Sequence, residues 1–148
     1  MDIWGVIADE AERESPLWAD ALRPSHEREL EPVFSPLADE RFALGLETIY
    51  EGYLVHYGRP RLFDPPARSA LLLGDYLYAH GLVRIAESGD VAAVGELAEL
   101  ISFCSHLRGE SSPGDGEAWA ATAARLDGSP ENAQAVGRAL AVHAARVE

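Results

Sequence analysis

The segment between residues 71 and 85 constrains the fold more than any other part of the chain, because it is apolar on nearly every side. Its apolar side chains are those of Leu71, Leu72, Leu73, Tyr76, Leu77, Tyr78, Leu82, Val83 and Ile85. Wound as a helix, the segment leaves only a narrow polar strip at His80, Arg84 and Glu87. A helix that is apolar nearly all round is normally surrounded by other helices. We therefore predict a central helix over about residues 66–87.

The composition favours helices throughout. Ala and Leu supply 42 residues, whereas the β-branched residues Val, Ile and Thr supply only 16, and β-branched side chains lose more rotamer freedom in a helix. No alternating pattern typical of a strand lies between turn residues. A chain of 148 residues fits one domain. We predict one all-α domain over residues 1–148, with a flexible loop at 109–116.

Caps and proline residues mark the helix boundaries. Predicted helices cover about residues 2–14, 36–57, 66–87, 90–108, 117–126 and 130–147, and a short helix opens at Ser15-Pro16. Ser129 is the expected N-cap of the last helix. The helix predicted over residues 36–57 carries one apolar stripe at intervals of four, three and four residues. The stripe consists of Phe42, Leu46, Ile49 and Tyr53.

The charge balance excludes several classes of partner. The chain has 12 basic and 25 acidic residues, a formal net charge of -13, and no Lys, so patches that would neutralise nucleic acid or anionic lipid are not expected. No apolar run approaches the ~18 residues of a membrane span, which predicts a cytoplasmic protein without membrane insertion. The single Cys104 has no CxxC partner and lies on an apolar seam, so we expect a buried, inert thiol.

The run from Leu71 to Ala79, LLLGDYLYA, resembles the Gly-Asp-aromatic-Leu segment of trans-polyprenyl diphosphate synthases. The turn Gly58-Arg59-Pro60 precedes it at about the interval found in that family, and the end of the next helix at Leu107–Glu110 is similar too. The resemblance covers about the first half of a family member. It implies an isoprenoid-synthase-like helical bundle in which Gly74 and Asp75 are structural. Because Asp75 stands among apolar residues, we expect it to be buried and paired with an Arg or a helix N-terminus.

The segment that corresponds to the family's Asp-rich motif is altered in this chain. It reads Glu47-Thr48-Ile49-Tyr50-Glu51, where the family has DDxxD and holds Mg²⁺ against an allylic diphosphate. Glu47 and Glu51 are therefore candidate, vestigial metal ligands, and Arg59 is a candidate diphosphate-binding residue. The alternative interpretation, which we favour, is that both carboxylates are solvated on the polar side of an amphipathic helix. We assign no catalytic residue, since the Lys-Thr pair and the second Asp-rich motif of the family are missing.

Three functional hypotheses follow. The first is a non-catalytic relative, a pseudoenzyme that acts as a binding or regulatory subunit and needs no cofactor. The second is a reduced prenyltransferase that uses Mg²⁺ on Glu47 and Glu51. The third is an unrelated helical interaction module.

None of the five His residues forms a Glu-x-x-His pair, so each is expected to have a packing or surface role. An uncovered central helix also predicts a homodimer, or a heterodimer with a full-length prenyl diphosphate synthase, that buries at least ~1,600 Å².

Overall fold

The structure, a computed structural model, describes residues 1–128 and 133–147. Within them the chain forms seven α-helices and no β-strand, so the prediction of an all-α fold is confirmed. The helices are α1 (Ile3–Glu14), α2 (Pro16–Ala21), α3 (Ala43–Tyr57), α4 (Ala67–Ala86), α5 (Val91–Gly109), α6 (Asp115–Ala124) and α7 (Ala133–Val147). In the same residues, no helix is both long and apolar enough to cross a bilayer.

Polar caps mark the starts of α1, α2 and α5, three of the six helices whose first turn is described together with the residue before it. The carboxylate of Asp2 accepts a hydrogen bond from the Gly5 amide at 3.1 Å, and that of Asp90 accepts one from Ala93 at 2.9 Å. The start predicted at residue 36 is wrong. Residues 35–37 and 40–42 form separate 3-10 turns, and Asp39 caps the second one. The predicted cap Ser129 and the start at residue 130 lie outside the described residues.

The central helix is α3 and not α4, which corrects the sequence prediction. Ten of the 15 residues of α3 are buried, including the whole predicted apolar stripe apart from Phe42, which is buried just before the helix begins. Helix α4 buries Leu73, Leu77 and Ile85 on one side only. On its other side Leu71 and Leu72 are 65% and 60% exposed. Helix α4 packs on α3 and α5 and contacts α1 and α2 through the smaller apolar cluster. Within the described residues no helix lies over its outer side, so its apolar circumference is only partly covered.

Helices α3 and α4 cross with their backbones almost in contact. A Cβ atom added to Gly52 would lie 2.9 Å from the carbonyl oxygen of Gly74, and one added to Gly45 would lie 2.5 Å from Ile85 Cδ1. Side chains at these positions would force the helices apart, because interhelical distances follow the size of the contact residues. The glycine residues therefore allow the backbones of α3 and α4 to approach closely.

Two apolar clusters flank α3. The larger lies between α3 and helices α5 to α7, and its largest side chains are those of Phe34, Tyr50, Tyr53 and Trp119. The smaller lies among α1, α2, the loop after α3 and α4, and it contains Trp18, Leu62 and Phe63. Cys104 belongs to the larger cluster and is fully buried, as expected. Burial raises the pKa of its thiol to about 12.

Candidate functional site

Glu47 and Glu51 lie one turn apart on α3 and both bind the guanidinium of Arg61. Arg61 Nη1 is 2.5 Å from Glu47 Oε1, and Arg61 Nε is 3.0 Å from Glu51 Oε1. All three side chains are at most 1% exposed. Burial alone would lower the pKa of Arg61, but the two carboxylates and their hydrogen bonds raise it on balance. The cation that lies between these carboxylates is thus a side chain of the protein itself.

Backbone amides from two loops complete this buried ion cluster. The amides of Val33 and Ser35 donate to Glu47 Oε2 at 3.2 and 3.1 Å. Those of Arg61 and Leu62 donate to Glu51 Oε2 at 2.9 and 2.7 Å. The interpretation of Glu47 and Glu51 as solvated residues is therefore wrong. The two loops fold back over the polar side of α3, and their amides replace water as hydrogen-bonding partners of the carboxylates. Helical periodicity shows which side of a helix is polar, but it does not show that loops will cover that side.

Aromatic rings enclose the Arg61 guanidinium. Its central carbon lies 4.7 Å from the ring centroid of Trp4 and 5.1 Å from that of Tyr50. Among the described residues, no group of three or more His, Cys, Asp or Glu side chains is arranged to hold a metal ion. Both carboxylates are saturated by the protein's own donors, and exchanging Arg61 for another cation would require breaking a cluster with no exposed edge.

Arg59, the candidate diphosphate-binding residue, is on the surface and ties the turn to α7. Its side chain is about half exposed, with Nε 3.8 Å from Glu29 Oε2. Its backbone amide donates to the carbonyl oxygen of Arg146 at 2.8 Å, and Arg146 Nη1 donates back to the carbonyl oxygen of Arg59 at 3.0 Å. The contacts of Arg59 are thus those of a tether between the turn and the last helix. Diphosphate binding by Arg59 stays a prediction.

Gly74 and Asp75 meet His56 of α3. A Cβ atom on Gly74 would lie 2.6 Å from His56 Cε1, so Gly74 gives the imidazole room to pack. Asp75 is not buried, contrary to the prediction. Its side chain is 61% exposed, and Oδ1 lies 3.2 Å from His56 Nε2. Asp75 lies toward the outer side of α4, where the structure leaves the helix uncovered.

A second buried polar cluster, which the sequence did not indicate, is centred on Asp115 at the start of α6. Asp115 Oδ2 accepts hydrogen bonds from Tyr53 Oη at 2.7 Å and from Arg108 Nη2 at 2.5 Å. His143 of α7 bridges this carboxylate and Tyr50, with Nε2 3.0 Å from Asp115 Oδ2 and Nδ1 2.7 Å from Tyr50 Oη. A neutral imidazole satisfies both contacts, because the Tyr50 hydroxyl donates to Nδ1 while Nε2–H donates to the carboxylate.

The electrostatics of this cluster hold Asp115 ionised. Burial alone would raise the pKa of Asp115, but hydrogen bonds from His143, Tyr53 and Arg108 lower it below its usual range. Burial and the neighbouring carboxylate raise the pKa of Tyr53. A cavity of about 260 Å³, lined in part by Asp115, Gly116 and His143, opens beside the cluster. Every polar atom of His143 and Asp115 that borders this space is already bonded within the protein. The one feature of the sequence that could have pointed to this cluster is the polar His143, which lies on the Ala-rich buried stripe of α7.

The outer sides of α4 and α5 carry a set of exposed, uncharged side chains, which we call the neutral face and which surround the exposed carboxylate of Asp75. It is defined by Leu71, Leu72, Ala79 and Val83 of α4 and by Val91, Gly95, Ala98 and Ser102 of α5, all of them exposed. The α5 residues recur at intervals of four, three and four, so they form a single stripe. Gly95 has no atom within 4 Å of the position a Cβ would take.

Comparison of the chain with protein-family models, with curated proteins and with solved structures finds no match. The resemblance to trans-polyprenyl diphosphate synthases therefore stays a prediction from short segments of sequence. The function has to be argued from the clusters and surfaces described above.

Proposed function

We propose that the protein is a non-catalytic association subunit whose neutral face binds a second copy of the chain. The observation that carries this proposal is the exposure of Leu71, Leu72 and Val83, at 65%, 60% and 53%, on a helix that is apolar around most of its circumference. Contiguous exposed apolar patches on soluble proteins mark interaction sites. A second copy presents the same patch, so two copies related by a two-fold axis cover each other.

The charge distribution favours the neutral face over other surfaces for self-association. Two copies, each with a formal charge of -13, repel one another wherever acidic side chains meet. The side chains that define the neutral face are uncharged. Asp75 lies between Leu71 and Ala79 on the same side of α4, and its Oδ1 is 3.2 Å from His56 Nε2. The small residues Gly95, Ala98 and Ser102 allow helices of the partner to approach closely, as small contact residues do in general.

The size of the neutral face suits a specific dimer. Helices of 20 and 19 residues are about 30 Å long at ~1.5 Å per residue, and two such helices side by side present a face about 20 Å wide. The flat projection is roughly 600 Å² per copy and about 1,200 Å² in total, at the lower end of specific interfaces. The corrugation of helix surfaces adds to this area.

The buried clusters support the absence of catalysis. A general acid, base or metal ligand must be able to exchange partners with a substrate. Glu47 and Glu51 are held by Arg61 and four backbone amides, and Asp115 is held by four side-chain and backbone groups. A prenyltransferase reaction would require Glu47 and Glu51 to release Arg61 in order to bind Mg²⁺. The buried guanidinium of Arg61 would then lose both carboxylate partners, which is strongly unfavourable.

Light scattering coupled to size-exclusion chromatography tests the proposal, with Gly95→Glu as the disruptive variant. Gly95 and Gly137 are both exposed helical residues with open space where a Cβ would lie, so Gly137→Glu on α7 is a matched control. Both changes add the same charge and improve helix propensity. We expect the unmodified chain and Gly137→Glu to run at twice the 16.0 kDa chain mass.

The Gly95→Glu variant is expected to run as a monomer. Like charges that face each other in an interface cost several kcal/mol, which weakens dimer affinity about a hundredfold or more. A folded monomer of the unmodified chain at tens of micromolar would contradict the homodimer. If the two variants dimerise equally, the interface lies on a surface other than the neutral face. Copurification with a full-length prenyl diphosphate synthase, in place of self-association, would favour the heterodimer.

A further inference from the structure

The neutral face surrounds one exposed carboxylate, that of Asp75. Asp75 is one helical turn from both Leu71 and Ala79, so it lies on the same side of α4 as these residues. Its side chain is 61% exposed, whereas that of His56, whose Nε2 lies 3.2 Å from Asp75 Oδ1, is only 11% exposed. We infer that protonation of His56 regulates self-association through the neutral face, so that the dimer tightens as the pH falls. This inference rests on the proposed function and concerns the regulation of that same surface.

Self-association would bury Asp75 among apolar side chains. With a neutral His56, each copy would bring an unpaired carboxylate into the interface, and removing an unpaired charge from water is strongly unfavourable. With a protonated His56, the same carboxylate enters as one member of an ion pair without net charge, which costs less to bury than a lone charge. The imidazole already lies beside the carboxylate in the single chain, so this neutralisation requires a proton and no rearrangement.

Within the described residues, Asp75 is the charged group next to His56, and the rings packed on the imidazole are neutral. The His56 ring centroid lies 5.7 Å from that of Tyr57 and 5.1 Å from that of Tyr78. Burial raises the pKa of Tyr78, and tyrosine hydroxyls in general stay neutral below about pH 9. The charged side chains of the neighbouring elements are paired elsewhere: Arg108 with Asp115, Arg59 and Arg146 with Glu29, and Glu10 with His80 and Arg84.

The direction of the effect follows from linkage. Because the dimer favours a protonated His56, protonation favours the dimer by the same factor. Imidazole groups ordinarily change charge between about pH 5 and 8, whereas Asp and Glu ordinarily stay ionised above about pH 6. Guanidinium groups stay protonated throughout this range, so Arg68, which is exposed two turns before Asp75 on α4, adds no pH dependence. Association should therefore strengthen as the pH falls from about 8 to about 6.

The dissociation constant of the dimer tests this inference when it is measured by sedimentation equilibrium at constant ionic strength. For the unmodified chain we expect it to fall about tenfold or more between about pH 8 and about pH 6. Asp75→Asn removes the carboxylate from an exposed position and should leave the fold unchanged, which circular dichroism checks. We expect this variant to dimerise more tightly than the unmodified chain at about pH 8. Its pH dependence should vanish or reverse, because a protonated His56 would then lack a counter-charge.

Two histidine substitutions are the controls, since other imidazoles also gain charge as the pH falls. His106 is exposed on α5, one turn after Ser102 of the neutral face, and His26 is exposed in the turn that follows α2. His106→Gln and His26→Gln each remove one imidazole and leave the pair of His56 and Asp75 intact. Both variants should keep the pH dependence of the unmodified chain.

The possible failures of this inference differ from those of the proposed function. A dimer with the same dissociation constant at both ends of the pH range would overturn the regulation by His56 and leave the homodimer standing. A pH dependence that survives in Asp75→Asn, or that disappears in His106→Gln or His26→Gln, would overturn it in the same way. A folded chain that stays monomeric at every pH would overturn both the inference and the proposed function.

Discussion

The guanidinium carbon of Arg61 lies 5.1 Å from the ring centroid of Tyr50, and this contact joins the two buried polar clusters of the protein. Tyr50 faces the ion cluster with its ring and the Asp115 cluster with its hydroxyl, which is 2.7 Å from His143 Nδ1. One side chain of α3 thus connects the loop after α3 with helix α7. Because buried polar groups are costly when left unpaired, we expect each member of this chain of contacts to affect stability strongly.

Replacement of Arg61 tests the ion cluster. Arg61→Met leaves Glu47 and Glu51 as buried carboxylates without a cation, and breaking a buried pair in this way costs about 3–5 kcal/mol. Urea denaturation followed by circular dichroism measures the loss. Arg59→Met is the control, because Arg59 is half exposed and its ion pair with Glu29 is long, and such surface pairs contribute less than about 1 kcal/mol. Similar losses in the two variants would show that the ion cluster does not stabilise the fold.

The lowered pKa of Asp115 makes stability depend on pH. Since its pKa lies below the unfolded value of about 3.9, its contribution is complete above that value and is lost as the pH falls through the folded pKa. Asp115→Asn should therefore lose about 2 kcal/mol near pH 7, where the charged hydrogen bonds act. The difference from the unmodified chain should shrink below about pH 4. Urea midpoints measured from pH 7 to about pH 2.5 check this, with Glu117→Gln on the same helix as the control. A difference that does not change with pH would contradict it.

The backbone contact between α3 and α4 predicts different outcomes for two glycine substitutions. In Gly52→Ala the new methyl group would lie 2.9 Å from the Gly74 carbonyl oxygen and 3.1 Å from Leu77 Cβ. We expect a loss of about 1–3 kcal/mol, because overpacking at rigid atoms outweighs the gain in helix propensity. Gly95→Ala has open space and should be neutral or stabilising by up to about 1 kcal/mol. Thermal melts measure both changes, and a stabilised Gly52→Ala would show that the helices can separate without penalty.

The sequence predicted local structure well and long-range pairing poorly. Caps such as Asp2, Ser15 and Asp90 act on amides two or three residues away, so their spacing alone identifies helix starts. The apolar stripe of α3 is likewise a local pattern, and its burial is confirmed. The position of α4 was predicted wrongly, because periodicity shows which side chains are apolar and does not show how many helices are available to cover them.

The candidate sites show the same contrast between local features, which the sequence indicates, and long-range contacts, which it does not. Glu47 and Glu51 were singled out as a pair, with metal ligation and, as the favoured interpretation, solvation as the two alternatives. Their actual partner, Arg61, follows a turn and a proline and reaches back over α3. The pairing of Asp115 with His143 joins residues 28 positions apart on different helices, and no spacing rule connects them. Buried polar contacts between elements follow from packing, and a single sequence constrains packing only through side-chain size and polarity.

The buried thiol of Cys104 gives a prediction for alkaline conditions. Its pKa is raised to about 12, whereas an unfolded cysteine ionises near pH 8.5. The folded form binds the proton more tightly, so stability should be unaffected below about pH 8 and fall between roughly pH 9 and 12. Reaction with a disulfide reagent at pH 8 should be slow in the folded protein and fast in urea, because only the exposed thiolate is nucleophilic. Fast labelling without denaturant would contradict the burial.

The hydroxyl of Tyr50 can be removed without disturbing the ring that contacts Arg61. Tyr50→Phe deprives His143 Nδ1 of its donor inside the core, and an unsatisfied buried group costs about 1–3 kcal/mol. Tyr57→Phe is the matched control, since its hydroxyl makes a longer bond of 3.3 Å to Ser105 at the surface and should change stability by less than about 0.5 kcal/mol. Urea unfolding of the two variants measures the difference. If Tyr50→Phe proves as stable as Tyr57→Phe, then His143 obtains its hydrogen bond elsewhere, and the connection between the two polar clusters is through the Tyr50 ring alone.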